Sequence, residues 1–468
     1  MTQKYHHQAV IYLGDFFVSK MLCIFILLSS FGLYIMKKPE RSKVMEDLKI
    51  YQLNRNILCI DLKSFYASVE CVFRGLDPFK TPLVVADKSR GGGSIVLAVS
   101  PYLKQLGVPS RCRIFELPQD LNIIYAKPQM QTYLEYSAAV IGVYLDFISE
   151  DDLYVYSIDE AFLDVTHYLK YYKKTDIELA ADILNQVHHK LGLTATCGIG
   201  PNMLMAKLSM DIEAKKRPNN IAQWTYDDLE AHLWPVMPLS KMWGIGHRME
   251  AHLNKLGIYT IGDIAAYDKN KLKRMFGVLG EELWYHTHGI DLSAIKDKSK
   301  LRSKPKSFGS GQVLFRDYNE HEILTIILEM VDDVTRRLRL ARKRCQTVSL
   351  SIGYTKSCGG GFSRQVTLEQ PTASERQIYQ TCLDLFDMYY EGYPIRTVGI
   401  HLSKLDDSKV YQYSLFEDAS ALDREYKLHA TMDSIKMKFG KNSVIRSSSE
   451  QEHATAKMRN KQIGGHNV

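Results

Sequence analysis

The sequence predicts a multidomain α+β protein. Its 468 residues exceed what one ordinary core absorbs. Short apolar runs alternate with amphipathic helical stretches, and glycine-punctuated or basic segments divide the chain into blocks. From residue 50 the first block reads as strand 56–61, helix 64–73, a strand hairpin at 154–165, helix 176–190 and strand 194–199. That β-α-ββ-α-β order is a split βαβ arrangement with helices on one face. Ile57, Leu58 and Ile60 give the first strand its buried character, and Ser64 offers a cap for the helix that follows. Residues 74–128, with Gly91 to Gly93, interrupt the block as a small insertion, and 226–292 read as short helices separated by glycines. The last block combines strands at 308–315, 347–354, 362–368 and 396–403 with helices near 321–343 and 373–388, which suits two helices packed on a four-stranded sheet.

Three acids carry the chemistry. Asp61 ends the first strand in ILCIDLKSFYASVE, and Asp159 and Glu160 sit together at the bend of LYVYSIDEAFLDV. Brought together, three carboxylates make a site for Mg²⁺, a hard cation that takes oxygen ligands and keeps some of its waters. Two such ions about 3.5–4 Å apart serve phosphoryl transfer by activating an attacking hydroxyl and stabilising the leaving group. The plainer reading, a capped helix and a solvated turn, carries equal weight for either segment alone.

The residues around the acids separate these readings. DLKSFYASVE and SIDEAFLDV closely resemble the two catalytic motifs of Y-family DNA polymerases. The resemblance continues through GIGPNMLMAKLSMDIEAKKRPNNI and LSKMWGIGHRMEAHLNKLGIYTIGDI and covers about residues 50–420. SRGGGSIVLAVSPYLKQLGVPS and KSFGSGQVLFRDY resemble the UmuC-related branch of Gram-positive bacteria. The resemblance implies a right-hand polymerase: a ferredoxin-like palm at 50–73 and 129–225, small fingers at 74–128, a helical thumb with a helix-hairpin-helix at 226–292, a linker at 293–306 and an α/β little finger at 307–428. It implies template-directed synthesis across damaged DNA, in which deoxynucleotides are added to a primer 3′ end by two-metal phosphoryl transfer. Low fidelity, no proofreading and a place in SOS-type repair come with it.

Residue roles follow from the same resemblance. Asp61, Asp159 and Glu160 would be catalytic and would hold two Mg²⁺ ions with the backbone carbonyl of Leu62, while Tyr66 would be the steric gate that leaves no room for a 2′-hydroxyl. Lys104 matches a triphosphate contact, although Pro101 stands where many relatives carry a hydroxyl-bearing aromatic. Lys215, Lys216 and Arg217 match a palm region that supplies another such contact, and the local spacing does not choose among them.

Residues beyond the acids fit a DNA partner. Gly244 and Gly246 flank a turn whose amides and following helix N-terminus can hold a phosphate. Lys296, Lys298, Lys300, Arg302, Lys304 and Lys306 alternate along the linker, so an extended chain turns all six to one side, and a phosphate-tracking strand outweighs a merely solvated run. Arg336, Arg337, Arg339, Arg342, Lys343 and Arg344 crowd the end of a helix. Part of that charge complements the helix dipole, and the remainder, with Arg364, is expected to reach template phosphates. Gln412, Leu415 and Phe416 in QYSLF resemble the peptide by which bacterial polymerases bind their sliding clamp (beta). Primer-template DNA, dNTP and the clamp are the implied partners, and UmuD-like accessory proteins stay open. The tail, 429–468, is polar and basic and reads as disordered at least after 447.

The net charge of +7 is modest for this length, so local basic patches matter more than the average. Eight cysteines include no CxxC pair, most of them read as reduced, buried thiols of a cytosolic protein, and a cytoplasmic location is expected. Met21 to Met36 is an uncharged run of 16 residues followed by Lys37, Lys38, Arg41 and Lys43. It is short for a bilayer span of about 20 residues. A signal anchor and a buried helix are weighed against an upstream extension before a start at Met45, which is favoured, and residues 1–49 are set apart from the fold. Two other classes share parts of the pattern. A nucleotide cyclase would keep the acids without the thumb hairpin or basic last domain, whereas a catalytically silent DNA-binding subunit would keep those domains with no need of the acids or Tyr66.

Overall fold

The computed structural model describes residues 44–297, 305–407 and 419–467. They form two compact units: residues up to 82 with 98–107 and 134–301, and 83–97 with 108–133 and everything from 302 onward. Along the chain, β1 (Ile57–Leu62) leads into α1 (Phe65–Phe73), and β2 (Leu83–Val85), α2 (Pro101–Gln105) and β3 (Ile124–Ala126) follow. Next come β4 (Leu153–Val155), β5 (Glu160–Asp164), α3 (Asp176–Leu191), β6 (Ala195–Gly200), α4 (Met203–Ile212) and β7 (Ile221–Gln223).

The first unit is built on a five-stranded sheet of order β4-β5-β1-β6-β7, in which β1 runs antiparallel to both neighbours and β7 parallel to β6. Central β1 buries Ile57, Leu58, Cys59 and Ile60, apolar on both faces because both are covered. The hairpin bend is wider than expected, taking in residues 156–159, so Glu160 already belongs to β5. Helices also cover both faces of β6, a correction to the one-faced expectation. Gly198 and Gly200 leave one face so low that α4 lies directly on the strand. A Cβ at Gly198 would meet the Ala206 carbonyl oxygen at 2.1 Å, and one at Gly200 the Ala206 nitrogen at 2.5 Å. Side-chain alternation turns Cys197 and Ile199 to the opposite face, and α3 packs against β6 as well. The box formed by Thr175 and Glu178 starts α3, and left-handed Gly192 ends it.

Four short helices follow in this unit: α5 (His247–Lys255), α6 (Ile261–Ala266), α7 (Lys269–Phe276) and α8 (Val278–Thr287). They share a core of Trp234, Ile245, Leu253, Ile264, Leu272 and Trp284. Leu48 is buried in that core, so the stretch set apart from the fold reaches into it.

In the second unit β2 and β3 pair in parallel. Its larger part comprises β8 (Ser307–Tyr318), α9 (Glu320–Leu340), β9 (Arg344–Tyr354), β10 (Gly361–Thr372), α10 (Glu375–Tyr389) and β11 (Ile395–Asp406). The strands form an antiparallel sheet of order β10-β9-β11-β8, and Ile326, Met330 and Val334 of α9 and Ile378 and Leu385 of α10 join Val348, Leu350 and Ile400 in one core.

The tail departs from expectation. α11 (Ala419–Phe439) and the residues after it are folded against α9. The Tyr318 hydroxyl donates to the His453 carbonyl at 2.9 Å, and the Thr455 and Ala456 amides donate to the Glu329 carboxylate at 3.0 and 2.8 Å. Low hydrophobicity alone does not prevent folding where a buried carboxylate supplies the docking point. The basic cluster at the end of α9 is also largely engaged within the unit. Arg339 grips Asp433, Lys343 meets Asp407 at 3.1 Å, Arg344 meets Asp406 at 2.9 Å and Arg337 donates to the Gly309 carbonyl. Among the described residues no helix is long and apolar enough to cross a membrane, and the apolar run 21–36 lies outside them. The described cysteines are free thiols, with Cys358 exposed and the others buried.

Candidate active site

The sheet register brings two of the acids face to face. Asp61, near the end of β1, pairs with Glu160, the first residue of β5, and with Thr196 on the other side. Alternation along β1 puts Asp61 on the same face as Cys59 and Ile57, the face that α4 covers. Asp159 lies in the bend. Its carbonyl accepts the Leu62 amide at 3.0 Å and its carboxylate accepts the Ser157 hydroxyl at 2.7 Å, which fixes the bend against the end of β1.

Because the two glycines admit α4 so closely, its polar side chains reach the acids. The Lys207 ammonium lies 2.8 Å from Glu160 and 3.0 Å from Asp211. Lys215, just beyond α4, lies 2.7 Å from Asp61 and 2.7 Å from Asp211. The Cys59 thiol donates to Glu160 from beneath at 3.2 Å. Burial pushes the Asp61 carboxyl above its ordinary range, with Asp159 adding to the rise and Lys215 opposing it. Burial likewise raises Glu160, against Lys207. Burial works against the Lys207 ammonium, yet its anionic neighbours hold it above the usual lysine value.

Sequence reading did not single out Lys207 or Asp211. Their four-residue spacing on one helix face, opposite the alternating Gly198 and Gly200, is the signal that could have found them. Among the described residues no three of His, Cys, Asp and Glu are drawn together closely enough to hold a metal ion. Two ammoniums occupy the carboxylates instead. The donor chemistry still fits a hard divalent cation, since Asp61, Asp159, Glu160 and the Leu62 carbonyl are all oxygen donors and two of the acids are buried against their own charge.

Tyr66, in the first turn of α1, is half-buried, and burial and the charge of Asp159 raise its phenol. Phe65 beside it is a core residue. Ser64 does not cap α1 as expected. It takes a left-handed backbone at φ 49°, its hydroxyl makes no hydrogen bond, and the Ser68 hydroxyl closes the turn on the Lys63 carbonyl at 2.7 Å. Lys104 lies on α2 within the field of Asp61, Asp159 and Lys215, and burial lowers it. Pro101 is the first residue of α2, where proline's missing N–H costs nothing. Of the three basic candidates after α4, Lys215 is at the acids, Arg217 pairs with Glu213 and Lys216 is exposed.

Gly244 has φ +93°, Gly246 precedes the first turn of α5, and a Cβ at either would meet nothing within 4 Å. Trp243 beside them donates to the Tyr156 hydroxyl at 3.2 Å, tying this turn to the hairpin bend. Arg364 is exposed on β10, its guanidinium 5.0 Å from the Tyr389 ring. Lys298, Lys300, Arg302 and Lys304 and the clamp-type residues Gln412, Leu415 and Phe416 lie outside the described residues.

Comparison with known proteins agrees with this geometry. The impB/mucB/samB family model matches residues 60–211, the model of that family's C-terminal domain matches 305–415, and a model of the DNA polymerase-iota thumb domain matches 240–291. The chain is 42% identical over 415 residues to UvrX of Bacillus subtilis (strain 168), a candidate UV-damage repair protein, with 88% of this chain and 97% of the relative covered. It is 36% identical over 419 residues to DNA polymerase IV 2 of the same organism, with 88% and 98% covered. The solved structure of a Y-family DNA polymerase chimera superposes with a TM-score of 0.58 at 20% identity, covering 75% of this chain and 100% of the other, which supports the right-hand α+β fold. With acids, thumb turn and last domain matched in order, the chain belongs to the Y-family of DNA polymerases.

Proposed function

We propose that this chain is a template-directed DNA polymerase of the lesion-bypass type that extends a primer 3′ end with deoxynucleotides. The in-register pair of Asp61 and Glu160, with Asp159 fixed at the bend beside them, carries the reading. Relatives named DNA polymerase IV match across the thumb and the last domain, which leaves the cyclase reading without support. Two Mg²⁺ ions held by Asp61, Asp159, Glu160 and the Leu62 carbonyl would supply the charge that activates the primer hydroxyl and stabilises pyrophosphate. Tyr66 meets the sugar of the incoming nucleotide, Lys104 and Lys215 supply positive charge for its triphosphate, and the amides around Gly244 and Gly246 grip a backbone phosphate. The segment around Gln412, Leu415 and Phe416 binds a sliding clamp and raises the local concentration of enzyme at the primer end.

Primer extension on undamaged and abasic templates tests the reading. Expected is Mg²⁺-dependent addition that Asp159→Ala abolishes, at least about a thousandfold or about 4 kcal/mol of transition-state stabilisation, while DNA binding changes only a few-fold. Tyr66→Ala should admit ribonucleotides about 10–200-fold better, and Leu415→Ala with Phe416→Ala should remove clamp stimulation but not single additions. Substantial extension by Asp159→Ala would refute the assignment of the acids.

A further inference from the structure

We propose that Lys215 is an exchangeable internal counter-ion of Asp61, that Lys207 is a fixed counter-ion of Glu160, and that entry of a divalent cation displaces the first and leaves the second in place. The two lysines differ in setting. Lys207 sits within α4 with its side chain 10% exposed and both its anionic partners within 3.0 Å. Lys215 follows the helix with its side chain 39% exposed, and its ammonium is shared equally between Asp61 and Asp211 at 2.7 Å each. Asp211 offers one carboxylate oxygen to each lysine, Oδ2 to Lys207 and Oδ1 to Lys215.

Release of Asp61 therefore costs Lys215 one of two partners. Its ammonium stays tethered by Asp211 and meets water, an inexpensive change for a pair that reaches the surface. Release of Glu160 by Lys207 would instead leave an ammonium only 10% exposed with Asp211 alone and little water to replace the lost partner, a costlier change. A divalent ion approaching Asp61 meets the Lys215 ammonium on the carboxylate, at Oδ2. Displacement resolves that repulsion without disturbing the sheet, and Asp211 thus acts as a positioning residue that keeps the displaced lysine at the site.

Displacement presupposes the metal reading proposed above, so the test reads both. Amine reactivity of the full chain is measured by reductive methylation and mass spectrometry with and without Mn²⁺, and Mn²⁺ binding is followed in the same samples by electron paramagnetic resonance. Expected is Mn²⁺ binding that Asp159→Ala removes, a several-fold faster modification of Lys215 when Mn²⁺ is bound, and a Lys207 that stays protected throughout. In Asp61→Asn, Lys215 should react quickly without metal, and Mn²⁺ should add nothing. Mn²⁺ bound in an Asp159-dependent manner with Lys215 still protected overturns the exchange while sparing the metal site. Absence of any such binding overturns both.

Discussion

The acid cluster on the five-stranded sheet and the seam between α9 and the C-terminal segment both bury ion pairs, but they seal them differently. Arg339 and Asp433 are each 6% exposed and joined by two bonds, 2.8 Å from Nε and 3.1 Å from Nη2. Lys436 reaches Asp332 at 2.7 Å beside them. The most buried positions of α11, Asp433 and Lys436, are charged, Glu425 and His429 are half-buried together with the apolar Met432 and Ile435, and Tyr426, Leu428, Met437 and Phe439 are exposed. The centre of the helix's docking face is thus charged, where most surface helices centre on an apolar stripe. At the acids, one of the two lysines reaches water. A sealed pair fixes which surfaces meet, because a wrong register strands a buried charge, while a pair with one wet partner is a point of exchange.

The largest effect expected of this contrast is at the sealed pair. Arg339→Met leaves Asp433 buried without a partner and should weaken docking of the tail by about 3–5 kcal/mol, seen in urea titration and as rapid proteolysis within 419–467. Adding Asp433→Leu should return most of that stability, since replacing both partners by apolar groups is often neutral or favourable. A single mutant within about 1 kcal/mol of the parent, the range of surface pairs, would mean that the pair fixes nothing and the contrast fails.

The second test compares the two lysines within the acid cluster. Lys207→Met should cost about 1–3 kcal/mol, less than loss of Arg339, because Glu160 keeps the Cys59 thiol and can take up a proton. Lys215→Ala should cost no more than about 1 kcal/mol, as expected for a pair open to solvent. Thermal unfolding of the metal-free chain gives the order, and equal losses would erase the distinction between fixed and exchangeable counter-ions.

What the sequence disclosed follows from the range of the forces involved. Local signals were legible: ILCI placed β1, the expected helix 176–190 matches α3 to within a residue, and the strands of the last sheet appear where they were expected, with longer ends. The placement of Asp61, Asp159 and Glu160 was legible because strand end and hairpin bend are local features. Lys207 and Asp211 were not, because their role depends on how closely α4 approaches β6, a matter of two missing Cβ atoms across the sheet. The same holds for Arg339, which looks like surplus charge until Asp433, ninety-four residues later, is placed against it. Ser64 misled for the opposite reason. A good capping residue was present, but the turn between Asp61 and Tyr66 holds it at φ 49° and its hydroxyl caps nothing.

The smallest expected effect is a pH dependence of the sealed seam, centred on His429. Its ring is 12% exposed, with Nδ1 3.6 Å from Glu375 of α10 and Nε2 3.9 Å from Glu425 of its own helix. Burial pushes its pKa below the ordinary 6.5, and the Arg339 charge on α9 adds to this, while Glu425, Asp332 and Asp433 oppose. Burial and Asp332 push Glu375 up, with Arg446 and Arg339 opposing. Docking therefore favours a neutral His429. Its contribution is complete above the ordinary histidine value and is lost as pH falls from about 6.5 through the lower folded value. Glu375 has the opposite sign, since docking favours its protonated form, so part of the loss should be recovered as that carboxyl takes up its proton in more acid solution. His429→Gln should abolish the decline below about pH 6.5 and leave the acid recovery, whereas Glu375→Gln should do the reverse. Urea titrations monitored by proteolysis of the tail at several pH values distinguish them. If His429→Gln loses docking in parallel with the parent, the ring does not titrate against the seam, and Arg339 with Asp433 holds the tail without help from its neighbours.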